Sequence, residues 1–231
     1  MTPDPHDGPI LPASPLVWLT AVVLLLGSAL AASITPAVAA LASGRAAIQL
    51  QPGAIKELAR GKLLVAGRNL GDPNFAESVV LLADHTPQGA MGLIINRRLD
   101  VPLARVLPDL KPGQGASNLA FLGGPVESSG VMALVRLDAP RPDSRVVFAD
   151  VYQITGRGLL DELIAKGTGP DRFRVYVGYA GWGPGQLERE TAQGSWHVFD
   201  GDPTAVFDPN PESLWRREIP RTEERMALSS R

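Results

Sequence analysis

Hydrophobic positions are distributed in two very different ways along this chain, and the change comes near residue 44. Residues 8–44 carry no Asp, Glu, Lys or Arg, and Leu16–Leu26 reads LVWLTAVVLLL. Beyond that point apolar residues come in short runs cut by turn residues. Lys62–Ala66 predicts a strand. Ser78–Asp84 (SVVLLAD) and Ala90–Asn96 (AMGLIIN) are near-continuous apolar runs. They predict strands buried on both faces, joined as a hairpin through the five-residue loop His85–Gly89. Val131–Leu137, Val146–Phe148, Val151–Ile154 and Ser195–Phe199 predict further strands. In Arg172–Tyr179 a period of two places Phe173, Val175, Val177 and Tyr179 on one face.

Helical spacing is confined to short stretches. Val101–Leu107 predicts a helix with Pro102 in its first turn. Leu159, Leu160, Leu163 and Ile164 share one helical face, with Thr155 as N-cap and Gly167 as the stop. Gln186–Ala192 predicts a helix after a Gly-Pro-Gly start. Pro211–Glu218 predicts a terminal helix, with Arg221–Arg231 fraying beyond it. Many strands with interspersed short helices predict an α+β fold rather than a βαβ repeat.

Four segments follow: an apolar segment at 1–44, a linker at 45–60, the folded domain at 61–218 and a tail at 219–231. Leu16–Ala42 is long enough to span a bilayer core as a helix, which takes about 20 residues. It admits two readings, beside the third expectation that translation starts further in and the segment is rarely made. As a signal peptide, Leu16–Leu26 is the apolar core, and Ala37-Val38-Ala39 or Ala29-Leu30-Ala31 is the small-x-small cleavage site; the domain is then exported. As an anchor, it has Arg45, Lys56, Arg60 and Lys62 on one flank against Asp4 and Asp7 on the other. That asymmetry predicts a cytoplasmic domain tethered to the inner membrane.

Composition narrows the chemistry. Lys+Arg is 22 and Asp+Glu is 24, a formal net charge of -2, so no basic excess supports direct nucleic-acid binding. Arg97-Arg98 and Arg216-Arg217 are isolated pairs. There is no cysteine, which excludes disulfides, thiolate nucleophiles and cysteine-ligated metals. The three histidines, His6, His85 and His197, lack ligand spacing, so neither a metal nor a cofactor is expected. No GxSxG elbow, phosphate-binding loop or GxGxxG fingerprint occurs.

Three clusters are candidates for a binding site. Asp72-Pro73-Asn74-Phe75 places polar groups on a turn beside the hairpin; the structural alternative is an Asx turn that bonds its own backbone. Gly123-Gly124-Pro125-Val126 follows a strand. Its glycines either turn backbone N–H groups toward a ligand or allow a close backbone approach. Gly178–Glu188 (GYAGWGPGQLE) lies between a strand and a helix. Gln186 and Glu190 there share a helical face by their i,i+4 spacing. The shared-surface expectation is that Asp72, Asn74, Phe75, Asn96, Gly123, Gly124, Tyr179, Trp182 and Gln186 converge. With no catalytic constellation, the leading reading is a non-enzymatic regulatory or binding protein whose partner is an unknown protein or small molecule. The alternative is an enzyme using carboxylates such as Asp72 and Glu188 in a Gly/aromatic-lined pocket.

The same clusters carry a resemblance. Gly61–Leu99 (GKLLVAGRNLGDPNFAESVVLLADHTPQGAMGLIINRRL), Phe121–Val126 (FLGGPV), Gly178–Glu190 (GYAGWGPGQLERE) and Ser195-Trp196 occur in the order seen in the YqgE/AlgH family of bacterial proteins. The match covers roughly residues 61–218 and departs from the family pattern at Gly67–Asn69, Val131–Arg136 and His197–Gly201. The resemblance implies a single compact α+β domain with a mixed, mostly antiparallel, barrel-like sheet. It implies no defined biochemical activity, though one branch is described as a transcriptional regulator of alginate production.

Overall fold

The computed structural model describes residues 58–229, apart from 108 and 110–113. The apolar segment 1–44, most of the predicted linker and part of the predicted loop Leu110–Ser117 lie outside the described residues.

Strand order follows from where the apolar runs fall. β1 (Leu63–Ala66) is buried at all four positions because it pairs on one side with β2 (Val79–Thr86) and on the other with β10 (Trp196–Phe199). β2 is buried from Val79 to Ala83, as its unbroken apolar run requires, and turns back into β3 (Gly89–Ile94). The other strands are β4 (Arg98–Pro102), β5 (Leu119–Leu122), β6 (Val126–Arg136), β7 (Ser144–Phe148), β8 (Val151–Ile154) and β9 (Phe173–Trp182). The main path through the sheet is β10-β1-β2-β3-β9-β6-β8-β7. Every pairing is antiparallel except β5 on β9, so the curled sheet is mixed and mostly antiparallel, in an α+β domain. β9 is shared: Ala180–Trp182 pairs with β3, Tyr176–Val177 with β5, and Phe173–Tyr179 with β6.

Because β9 has neighbours over both faces, it divides two cores. Tyr176, Ala180 and Trp182 enter the main core with β1, β2 and β3. Phe173 and Val175 enter a second core, which is closed by Leu159, Leu163 and Ile164 of a helix at Arg157–Ala165. Each of the larger apolar side chains among these contributes about 1.5–3 kcal/mol by leaving water. The helices are α1 (Leu103–Val106), α2 (Arg157–Ala165), α3 (Gln186–Ala192), α4 (Pro203–Val206) and α5 (Leu214–Ser229).

Several boundaries differ from expectation, each for a local reason. The β2–β3 hairpin loop is two residues, Pro87 and Gln88. Thr86 pairs with Gly89 and His85 with Ala90, after a register shift between Leu82 and Asp84 absorbs a residue. Tyr179 does not stay with Phe173, since alternation breaks at Gly178 (φ 68) and the ring packs on the main core. The N-cap of α2 is Gly156, not Thr155. Thr155 is held by its N–H to the Asp143 carbonyl at 2.8 Å, and the Asp143 side chain packs over Gly156. Gly167 does stop that helix: its N–H reaches the Ile164 carbonyl and that of Thr168 the Leu163 carbonyl. The final helix starts at Leu214 and runs through Pro220 to Ser229 instead of ending at Glu218. Ile219 and Thr222 are buried on either side of the proline, and that burial offsets the lost backbone bond. Leu58, in the predicted linker, is already in the main core.

Among the described residues no helix is long and apolar enough to cross a membrane. Leu16–Ala42 falls outside them.

Candidate functional site

Two of the three clusters meet. A cleft of about 210 Å³ is lined by Leu70, Asp72 and Phe75 from the turn after β1, by Gly181 and Trp182 from the end of β9, by Gln186 and Glu190 from α3, and by Ser195 and Trp196 at the start of β10.

The turn is built from its own sequence. Asp72 Oδ1 accepts from the Asn74 N–H at 2.8 Å, and the Asp72 carbonyl accepts from Phe75 and Ala76 at 3.0 Å. Arg97 straps it from outside, donating to the Asn74 carbonyl at 2.6 Å and the Ala76 carbonyl at 2.7 Å. Burial pulls the Arg97 pKa down, and the Asp72 charge opposes that. Asn96 holds the far end: its Oδ1 accepts from Val79 N–H at 2.8 Å and its Nδ2 donates to the Glu77 carbonyl at 3.0 Å. Glu77 there adopts φ 54, a left-handed conformation that costs energy in a non-glycine residue and is held by its neighbours. The result presents Phe75 to the core edge. Its ring centroid lies 6.0 Å from that of Trp182 and 5.7 Å from that of Trp196.

The opposite wall is α3. Leu187 anchors it in the main core. One turn-spaced face then carries Gln186 and Glu190 to the cleft. Glu190 Oε2 accepts from both Trp182 Nε1 and Trp196 Nε1 at 2.9 Å. Its Oε1 accepts from Gln186 Nε2 at 2.9 Å, while Gln186 Oε1 accepts from the Gly183 N–H at 3.0 Å. The two indoles stand edge to face, 5.8 Å apart. Glu188 faces elsewhere, 2.8 Å from His85 Nε2 of β2.

Of the nine proposed residues, the cleft gathers Asp72, Phe75, Trp182 and Gln186. Asn74 is beside it, exposed on the turn. Asn96, Gly123, Gly124 and Tyr179 are not among its lining groups. The two glycines serve close approach instead: a Cβ on Gly123 would stand 2.2 Å from the Gly178 carbonyl oxygen, and one on Gly124 2.2 Å from the Tyr179 carbonyl. Tyr179 is half-buried, and its phenol is pushed up by burial first and then by the Glu127 charge. The residues missing from the sequence-derived set are Leu70, Gly181, Glu190, Ser195 and Trp196. For Glu190 the signal was its i,i+4 relation to Gln186. For Ser195 and Trp196 it was their place as the pair that follows the Gly178–Glu190 cluster. Among the described residues no cluster of His, Asp and Glu could hold a metal ion.

The fold and cleft together define a class of protein: a curled, mostly antiparallel α+β domain whose strand–helix junction closes over an aromatic-walled cleft. Residues 63–227 match the model of the AlgH-like family. The chain belongs to that family, whose function is uncharacterised. A UPF0301 protein of Streptomyces avermitilis is 38% identical over 173 residues, covering 73% of this chain and 89% of its own. One of Ruegeria pomeroyi is 37% identical over 163 residues, covering 69% and 89%. The solution structure of the AlgH protein from Pseudomonas aeruginosa, a UPF0301 protein, is similar with a TM-score of 0.60 and 34% identity, over 74% of this chain and 92% of that one.

Proposed function

We propose that this chain is a non-enzymatic binding module of a regulatory kind, and that the aromatic cleft receives its ligand. One observation carries the reading. Glu190, the buried-side carboxylate of the cleft, has both oxygens engaged by Trp182, Trp196 and Gln186. A carboxylate so engaged shapes a wall; it is not poised to exchange protons with a substrate. The pairing of Asp72 with Glu188 as an acid–base couple gains no support, since Asp72 lines the cleft and Glu188 pairs with His85. An effect on transcription belongs to this reading as a consequence of ligand or partner binding, without direct DNA contact.

Equilibrium dialysis of the full chain against a bacterial metabolite extract, read by mass spectrometry and by indole fluorescence, tests it. A retained compound that changes the emission, and that Phe75→Ala no longer retains, is expected. Retention of nothing, or equal retention by the variant, counts against the cleft.

The tether belongs to the same proposal: Leu16–Ala42 anchors a cytoplasmic domain. Resistance to carbonate extraction, with the C-terminus shielded from external protease, is the expected result. A periplasmic mature chain starting near Ala40 would overturn it.

A further inference from the structure

A second cleft, of about 360 Å³, shares no lining residue with the first. It lies between β4 and β5 on one side and the loops at 170–171 and 209–211 on the other, and Arg174 of β9 reaches it. Arg174 is only 3% exposed. Its Nε donates to the Pro170 carbonyl at 2.9 Å, Nη1 to the Val206 carbonyl at 2.9 Å, and Nη2 to the Asp208 carbonyl. A guanidinium has five N–H donors, and of the two left after these the Tyr176 hydroxyl stands against one. Its carbon stands 4.5 Å from the Phe121 ring centroid. No carboxylate among the described residues lies within ion-pair distance of it. The Asp208 and Glu212 carboxylates act on it only at range, because Arg217 holds the first and Arg98 the second, at 3.1 Å. A buried cation answered in contact by carbonyls, a phenol and ring faces, with no carboxylate touching it, is an incomplete arrangement, since a charge taken out of water normally finds a counter-charge.

We propose that Arg174 anchors the carboxylate of a small organic acid seated in this cleft. Leu119, Phe121, Pro170 and Pro211 give the acid's body an apolar wall. The rim argues for a single negative charge. Arg98 there is already paired, and exposed Asp171 repels a second charge. The few donors left on Arg174 suit one carboxylate and fall short of the set a phosphate dianion needs. The fitting class is therefore a monocarboxylate with an aromatic or branched apolar body.

Benzoate is the probe, with benzamide as its uncharged isostere and inorganic phosphate as the dianion, each titrated into the full chain and followed by backbone amide NMR. Benzoate is expected to shift the amides of Asn118, Leu119 and Asp171 and to bind at least about tenfold more tightly than benzamide or phosphate. Arg174→Met is expected to abolish that preference. Should that variant not fold, Asp171→Asn, a change at an exposed rim position, is expected to narrow the gap between phosphate and benzoate by about threefold or more. Equal binding of benzoate and benzamide, no shifts at this cleft up to about 20 mM benzoate, or an unchanged preference in Asp171→Asn overturns the proposal. None of these results bears on the aromatic cleft.

Discussion

Trp182 and Glu190 sit on different elements, the end of β9 and the second turn of α3, and are joined by an indole N–H to carboxylate bond of 2.9 Å. Trp196 reaches the same oxygen from β10. One carboxylate thus satisfies two indole donors that are otherwise buried, and three consecutive elements are pinned at one atom.

Removing that atom leaves both indole N–H groups orphaned. Glu190→Ala is expected to destabilise the fold by about 2–4 kcal/mol, at one to three per buried orphan donor, with some relief from entering water. Denaturant unfolding followed by tryptophan emission measures it. A loss within about 0.5 kcal/mol of zero, typical of an ordinary surface change, would show that the two bonds are not what closes the cleft.

The glycines of Phe121–Val126 make a steric prediction. Gly123→Ala and Gly124→Ala each force a carbon to within 2.2 Å of the β9 backbone, so β5 and β6 must part from it. Both variants are expected to lose at least about 3 kcal/mol or to accumulate insolubly. Gly71→Ala meets nothing within 4 Å and serves as the neutral control.

Glu162 of α2 is held by Arg141 and Lys166, which bring its pKa from the ordinary 4.5 down to about 2, the Arg141 hydrogen bond being the largest cause. A carboxyl lowered in the folded state stabilises that state above the unfolded value, and the contribution is lost as pH falls through the folded one. It is therefore complete above about pH 4.5 and gone near pH 2. A side-chain carboxyl carbon titration should place the midpoint near the lower value, and Arg141→Gln should raise it.

Tyr176 provides the opposite sign. Burial pushes its phenol up to about 12, although the nearby Arg174 charge works against the shift. The hydroxyl makes no hydrogen bond of good geometry. As pH rises from the ordinary 10 toward 12 the unfolded chain releases this proton first, so stability declines across that window. Tyr176→Phe is expected to remove that decline and to cost less than about 0.5 kcal/mol at neutral pH, since the lost hydroxyl makes only a poorly aligned contact with Arg174. Denaturant midpoints at several alkaline pH values compare the two proteins.

Local chemistry alone was enough for much of this molecule. The apolar run at Val79–Ala83 dictated a strand buried on both sides, Gln186–Ala192 and Val151–Ile154 were legible to the residue, and Asp72-Pro73-Asn74-Phe75 had to turn because its side chains bond its own backbone. Gln186 and Glu190 had to share a face because a helix repeats every 3.6 residues. What closed over them depended on contacts distant in sequence. The pairing of β1 with β10 brings Trp196 beside a turn more than a hundred residues earlier. The two cores flanking β9 bury Arg174, which a strand pattern alone would send to water. Arg97 and Asn96 hold the turn that carries Phe75. Spacing along a chain records which side chains share a face. Which face is then covered, and by what, is settled only when the sheet curls and every buried donor must find its acceptor.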